Sequence, residues 1–171
     1  MKILLFIIPF ILNAAIYLEK PDDFKPKFEI IGCFIEDGNK ILFLHRQDEK
    51  RQGNTWAIPG GKIESNETPI VAASREVFEE TGFTLKDWEY LGKVYIKYCN
   101  YDFIYHMVRA KAPSNPGDVK IRFVEHKGFT WVTAQDALLM NLMPDEDDCI
   151  KLIYPDVMKS NENYSAHTLR N

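Results

Sequence analysis

The segment from Gly60 to Phe83 constrains this 171-residue chain more than any other. It opens with the pair Gly60-Gly61, whose missing side chains let the backbone approach a neighbour closely. Thr68-Pro69 supplies a helix N-cap and first position and Gly82 a stop, so a helix is predicted between them. Ile70, Ala73 and Val77 recur at helical spacing and form an apolar stripe to bury. At about 100° per residue, Glu76, Glu79 and Glu80 share one face. Like charges three and four apart repel by about 0.2–0.5 kcal/mol per pair, and these crowd the helix end where the dipole favours cations. A solvated acidic face is one reading of such a run. A bound divalent cation is the other, since it would reverse both penalties, and all-carboxylate ligation suits Mg²⁺ or Mn²⁺ rather than zinc.

Around this segment the pattern is mostly strands. Phe28–Ile35 reads as a strand buried on both faces, Asp37-Gly38-Asn39 as a turn and Lys40–Arg46 as its antiparallel partner. Leu91–Tyr98 and Asp102–Ala110 form a hairpin pattern, and shorter strands are predicted at Val119–Val124 and Gly128–Val132. A second helix is predicted over Ala134–Met140. An acidic loop, Asp145–Asp148, then leads into the apolar run Cys149–Tyr154. Strands, helix, strands, helix is an α+β plan with antiparallel or mixed sheets, not a doubly wound parallel one.

Lys+Arg 21 against Asp+Glu 25 leaves a net charge of -4, which argues against a duplex nucleic acid partner that needs many phosphates neutralised. A small phosphorylated substrate remains compatible, because a metal can supply positive charge. Cys33, Cys99 and Cys149 are odd in number and widely spaced, which fits free thiols in a reducing, cytoplasmic setting. Residues 1–20 are an apolar extension with a basic start and the small pair Ala14-Ala15. It is short and interrupted for a membrane span, and no membrane partner is expected. It reads either as an export signal over residues 1–15 or as a start site placed too far upstream, and it is set aside from the fold. The domain is expected over residues 21–158, followed by a polar tail at 159–171.

Gly61, five residues, Glu67, seven residues, then Arg75-Glu76-Val77-Phe78-Glu79-Glu80-Thr81-Gly82-Phe83 resembles the Nudix box without departure at its specified positions. The resemblance implies an α-β-α sandwich with mixed or antiparallel sheets, in which the box forms a loop-helix-loop. It implies hydrolysis of a nucleoside diphosphate linked to another group, with Mg²⁺ or Mn²⁺ as cofactor. Matched position by position, it assigns Glu76, Glu79, Glu80 and the Gly60 carbonyl as metal ligands. Arg75 and Glu67 match the pair that braces the helix, with Glu67 orienting the catalytic carboxylate. Glu76 is the first candidate for general base or water orienter and Glu125 the second, because Glu125 lies six residues before Trp131, as in relatives whose downstream loop supplies a carboxylate.

Substrate contacts are expected from Arg46, at the end of the second strand where relatives place phosphate-binding cations, and from Asp145. The latter sits in Met143-Pro144-Asp145, similar to a segment that reads the base edge in relatives that clean oxidised nucleoside triphosphates. Tyr101, eighteen residues after Phe83, matches a tyrosine found in relatives that cleave dinucleoside polyphosphates, and no nearby proline matches those that cleave ADP-ribose. The expected activity is therefore Mg²⁺-dependent cleavage of the pyrophosphate linkage of a nucleoside triphosphate or another nucleoside diphosphate derivative, oxidised dNTPs included. A dinucleoside polyphosphate or nucleotide-sugar hydrolase, and a nucleotide-sensing domain without hydrolysis, are the alternatives. The small-molecule nucleotide would meet a monomer or a homodimer.

Overall fold

The structure is a computed structural model and describes residues 14–157. Strand β1 (Ala15–Tyr17) is followed by β2 (Pro26–Asp37), β3 (Lys40–Arg46) and the short β4 (Trp56–Ala57) and β5 (Gly60–Lys62). Helix α1 (Pro69–Thr81) leads into the hairpin β6 (Glu89–Lys97) and β7 (Asp102–Lys111). Strand β8 (His126–Thr133), a single turn α2 (Ala134–Ala137) and helix α3 (Glu146–Ile153) complete the order.

The strands join in one mixed sheet ordered β1-β6-β7-β2-β3-β4, with β5 also pairing β2 and β8 also pairing β3. The β2–β7 pair is parallel, running from Pro26 against Asp102 to Glu36 against Lys111, and the other pairs are antiparallel. Strands β2 and β3 touch only beside their turn, at Glu36–Ile41 and Asp37–Lys40, and then splay apart. Strand β5 pairs with Ile30, Ile31 and Gly32 of β2, and β4 with Leu44 and His45 of β3, beyond that divergence.

The period of two along β2 and β3 sorts their side chains between two cores. Ile31, Cys33, Ile35, Leu42 and Leu44 pack with Ala72, Ala73 and Val77 of α1. Phe34, Ile41 and Phe43 face the other way, against Ala134, Ala137, Cys149 and Ile150 of α2 and α3. Each fully buried large apolar side chain contributes roughly 1.5–3 kcal/mol, so both helical layers are held by these alternating rows. This is the α-β-α sandwich of an α+β protein.

Four elements differ from the sequence expectation. Residues Ala15–Tyr17, inside the extension set aside from the fold, pair with Tyr95–Lys97 of β6, and Ala14 and Ile16 pack on the core. An open sheet edge offers backbone hydrogen bonds to any extended segment, which no local pattern announces. The apolar stretch before Ala14 lies outside the described residues, as does the tail expected at 159–171. The strand expected at Val119–Val124 does not form. That stretch stays irregular after Pro113, Pro116 and Gly117, with the Lys120 N–H donating to the Thr81 carbonyl and the Trp131 indole N–H to that of Pro116. The second helix stops at Ala137, and the acidic loop is instead the first turn of α3, where carboxylates suit the positive end of the dipole. Among the described residues no helix is long and apolar enough to cross a membrane.

A candidate active site at the helix and the cleft

The glycine pair and α1 meet as the sequence expects. Thr68 caps α1, its hydroxyl accepting from the Val71 N–H, and Gly82 ends it at φ 73, a left-handed conformation that favours glycine. A Cβ on Gly60 would come 2.1 Å from the Ile31 carbonyl oxygen, and one on Gly61 would come 2.3 Å from the Glu76 carboxylate. The pair is therefore required by close contact, with β2 on one side and α1 on the other.

Arg75 holds the acidic face together. Its Nε and Nη2 donate to the two oxygens of Glu67 at 2.7 and 2.8 Å, a forked pairing, and its Nη2 also reaches the Lys62 carbonyl. Its Nη1 donates to Glu76 at 2.8 Å and lies 3.9 Å from Glu79. This guanidinium holds the Glu67 carboxyl down at about 2. Burial raises the Glu76 carboxyl above its ordinary value, against the pull of Arg75. Glu79, more exposed, also meets Arg122 at 3.3 Å, and Arg122 meets Glu125 at 3.1 Å.

Glu80 faces inward. Only 5% exposed, it accepts from the Gly60 N–H at 2.9 Å, and burial pushes its carboxyl up to about 8. His126 lies with Nε2 3.7 Å from Glu80, and burial followed by the charge of Arg46 lowers its imidazole to about 4. Between those values both groups are neutral, so the approach is not an ion pair. The charges of Glu76 and Glu125 act on Glu80 as well, which brings Glu125 into the acidic group despite its distance in sequence.

A cleft of about 300 Å³ opens between the sheet and the start of α3. Its lining includes Gly60, Gly61, Glu80, His126 and Arg46 together with Phe28, Tyr98, Tyr101, Phe103, Asp145 and Glu146. Four of these rings form an array, with Phe28–Phe103 centroids 5.4 Å apart and Tyr98–Tyr101 centroids 5.1 Å apart. Arg51 donates to the Tyr101 hydroxyl at 2.9 Å from the loop after β3. Asp145 accepts from the Tyr98 hydroxyl, and burial raises its carboxyl.

Of the expected site residues, Gly60, Glu80, Arg46, Tyr101 and Asp145 line the cleft. Glu67, Arg75, Glu76, Glu79 and Glu125 do not, but Glu76 presses on Gly61, which does. Sequence reasoning missed Glu146. It is 6% exposed, burial pushes it up to about 8, and its Oε1 has no partner among the described residues. Its spacing of three and four from Cys149 and Ile150 could have found it, had the segment been read as helix.

The donor chemistry of Gly60 and α1 fits a hard divalent cation, since the α1 side chains that could bind it, Glu76, Glu79 and Glu80, all offer carboxylate oxygen. Among the described residues no three His, Cys, Asp or Glu side chains are gathered closely enough to hold a metal ion as they stand. Each glutamate is engaged elsewhere: Glu76 with Arg75, Glu79 with Arg122, Glu80 with Gly60.

Comparison with known proteins agrees with the box. A profile of the NUDIX domain matches residues 26–153. The chain is 28% identical over 116 residues to a CTP pyrophosphohydrolase of Escherichia coli, covering 68% of this chain and 83% of that protein. It is 26% identical over 134 residues to a dihydroneopterin triphosphate diphosphatase of Haemophilus influenzae, covering 71% and 83%. The solved MutT protein of Methanosarcina mazei superposes with a TM-score of 0.64 at 25% identity, over 80% of this chain and 96% of that one. With the box, the sandwich and a match over most of its length, this chain belongs to the NUDIX domain family and is a Nudix pyrophosphohydrolase.

Proposed function

We propose that the chain hydrolyses the pyrophosphate linkage of a nucleoside triphosphate or related nucleoside diphosphate derivative, with Mg²⁺ or Mn²⁺ as cofactor. The observation that carries this is the lining of the cleft. Aromatic faces and two carboxyl groups line it together with Arg46 and the buried Glu80. Rings such as Tyr98, Tyr101, Phe28 and Phe103 suit a flat base. Asp145 and Glu146 can hydrogen-bond its edge, as carboxylate acceptors or, when protonated, as donors. Arg46 suits phosphate oxygens through its planar fork.

A bound Mg²⁺ or Mn²⁺, held by the Gly60 carbonyl, Glu76, Glu79 and Glu80, would neutralise charge on those oxygens. The remaining work falls to the chain's own groups. Glu76 is the first candidate to take the proton of the attacking water, a role supported by the burial that raises its carboxyl above its ordinary value and by its hydrogen bond from Arg75. Glu67 in turn fixes Arg75 from two sides. Glu125, on the turn before β8, is the alternative base, and its pairing with Arg122 would have to open first.

The relatives named above act on CTP and dihydroneopterin triphosphate, which supports a triphosphate. The Arg51–Tyr101 pair beside the cleft supports a second reading, a dinucleoside polyphosphate, whose second nucleoside would need a ring and a cation where the cleft opens. Chromatographic analysis of the nucleotide and pyrophosphate products formed with Mg²⁺ from dNTPs, oxidised dNTPs, CTP, dinucleoside polyphosphates and nucleotide sugars tests both. Turnover of nucleoside triphosphates well above the rest is expected. Turnover confined to dinucleoside polyphosphates selects the second reading, and no turnover of any class refutes both.

A further inference from the structure

Two buried nitrogen atoms, on residues that line the cleft, have no hydrogen-bond partner among the described residues: Nε of Arg46 and Nδ1 of His126. They belong to register partners. Arg46 of β3 sits opposite His126 of β8, where the pairing shifts between His45 and Arg46. Such an irregularity re-aims side chains at the edge of a ladder. Both residues line the cleft, and His126 is only 2% exposed.

A buried polar atom without a partner costs about 1–3 kcal/mol, so two on facing residues point to a ligand that satisfies them. The Arg46 Nε–H can only donate, which makes the missing group an acceptor. Positive charge at the His126 ring comes from Arg46 and, more weakly, from Lys50, with the negative charge of Glu125 opposing them. The other ring nitrogen of His126, Nε2, lies 3.7 Å from Glu80, so Nδ1 is the ring nitrogen left without a neighbour to pair with.

We infer that His126 is a phosphate-binding residue, its Nδ1–H donating with the Nε–H of Arg46 to oxygens of the substrate's phosphate chain. This rests on the reading of Arg46 as a phosphate contact and adds a second donor from β8. His126 thereby joins the phosphate grip to the turn that carries Glu125, the residue before it.

The test is calorimetric titration of the full chain with inorganic pyrophosphate in the presence of a chelator, so that no divalent cation contributes. Asparagine can present an N–H close to the position of Nδ1, glutamine one close to Nε2, and phenylalanine neither. Kd is expected to rise about tenfold in His126→Gln and His126→Phe, and to stay within about threefold of the parent in His126→Asn. In the parent, pyrophosphate should also shift the Nδ1 resonance of His126 in the nitrogen NMR spectrum. A phenylalanine variant that binds as tightly as the parent overturns the inference. So does rescue by glutamine and not by asparagine, which would place the role at Nε2 and Glu80. A parent that shows no saturable pyrophosphate binding overturns it too. Thermal unfolding monitors the fold, and if His126→Phe is unfolded the Asn–Gln pair still decides. Loss of the inference alone would leave nucleotide turnover intact, whereas a chain that binds pyrophosphate through Nδ1 but hydrolyses no nucleotide would lose only the proposed function.

Discussion

Replacing Glu146 by glutamine isolates the energetic consequence of burying a carboxyl in the cleft wall. In the folded chain burial holds this group protonated up to about pH 8, whereas in the unfolded chain it titrates near its ordinary 4.5. Below the lower value both states carry the proton and the residue is neutral towards folding. As pH rises between the two values, the unfolded state releases the proton and the folded state keeps it, so stability is lost. At 1.36 kcal/mol per pH unit, the loss reaches about 3 kcal/mol at pH 7 and levels off above about pH 8. Glutamine keeps the shape and cannot ionise. Its amide N–H groups add a burial cost of about 1–3 kcal/mol that does not change with pH, so the slope and not the absolute stability carries the signal. Urea unfolding of parent and Glu146→Gln, followed by tryptophan fluorescence at intervals from about pH 5 to about pH 8, reads that slope. The parent should lose stability more steeply than the variant, by about one proton. Parallel profiles would refute the claim that this carboxyl stays protonated in the fold.

Glu80→Gln should lower kcat at least about a hundredfold while the chain stays folded, the loss expected for a group in the metal and acid-base machinery; a fully active variant sinks the site assignment. Gly61→Ala drives a Cβ to 2.3 Å from the Glu76 carboxylate and should cost about 1–3 kcal/mol in chemical denaturation together with a clear fall in kcat, because the helix and the loop cannot both keep their places. Glu67 has its carboxyl held down at about 2 by Arg75, so its contribution is present above about pH 4.5 and lost as pH falls towards 2; thermal unfolding of Glu67→Gln should show a shallower acid limb than the parent. Ile150→Ala, at a fully buried position of α3, should lower the unfolding free energy by about 2–5 kcal/mol, and a loss near zero would mean that α3 is not packed as described.

Helix α1 was legible because its signals are local. A cap, a proline, a glycine stop and three carboxylates at helical spacing lie within one short stretch, and the Arg75–Glu67 fork joins residues only eight apart. The burial on both faces expected for Phe28–Ile35 holds only for Ile31–Ile35, an unbroken apolar run, whereas Phe28 and Ile30 are half-buried and Glu29 is exposed. Glu146 was not legible, since a row of acidic residues reads as loop until the helix that buries one of them is known. Nor was the edge strand Ala15–Tyr17, whose pairing with β6 depends on where a distant hairpin leaves an open edge.

What the amino-acid order determined by itself, then, was the box, the capped helix and the kind of chemistry that carboxylates in that spacing can support. Tertiary structure alone decided which carboxyls are buried and so raised above their ordinary values. It also decided that Arg46 and His126, eighty residues apart, face each other across a strand pair, and that Asp145 meets Tyr98 at the cleft wall. The reason is physical. Spacing along a chain sets the direction of a side chain from its own helix or strand, but desolvation and pairing depend on which surfaces close over it, and those come from residues far away in sequence.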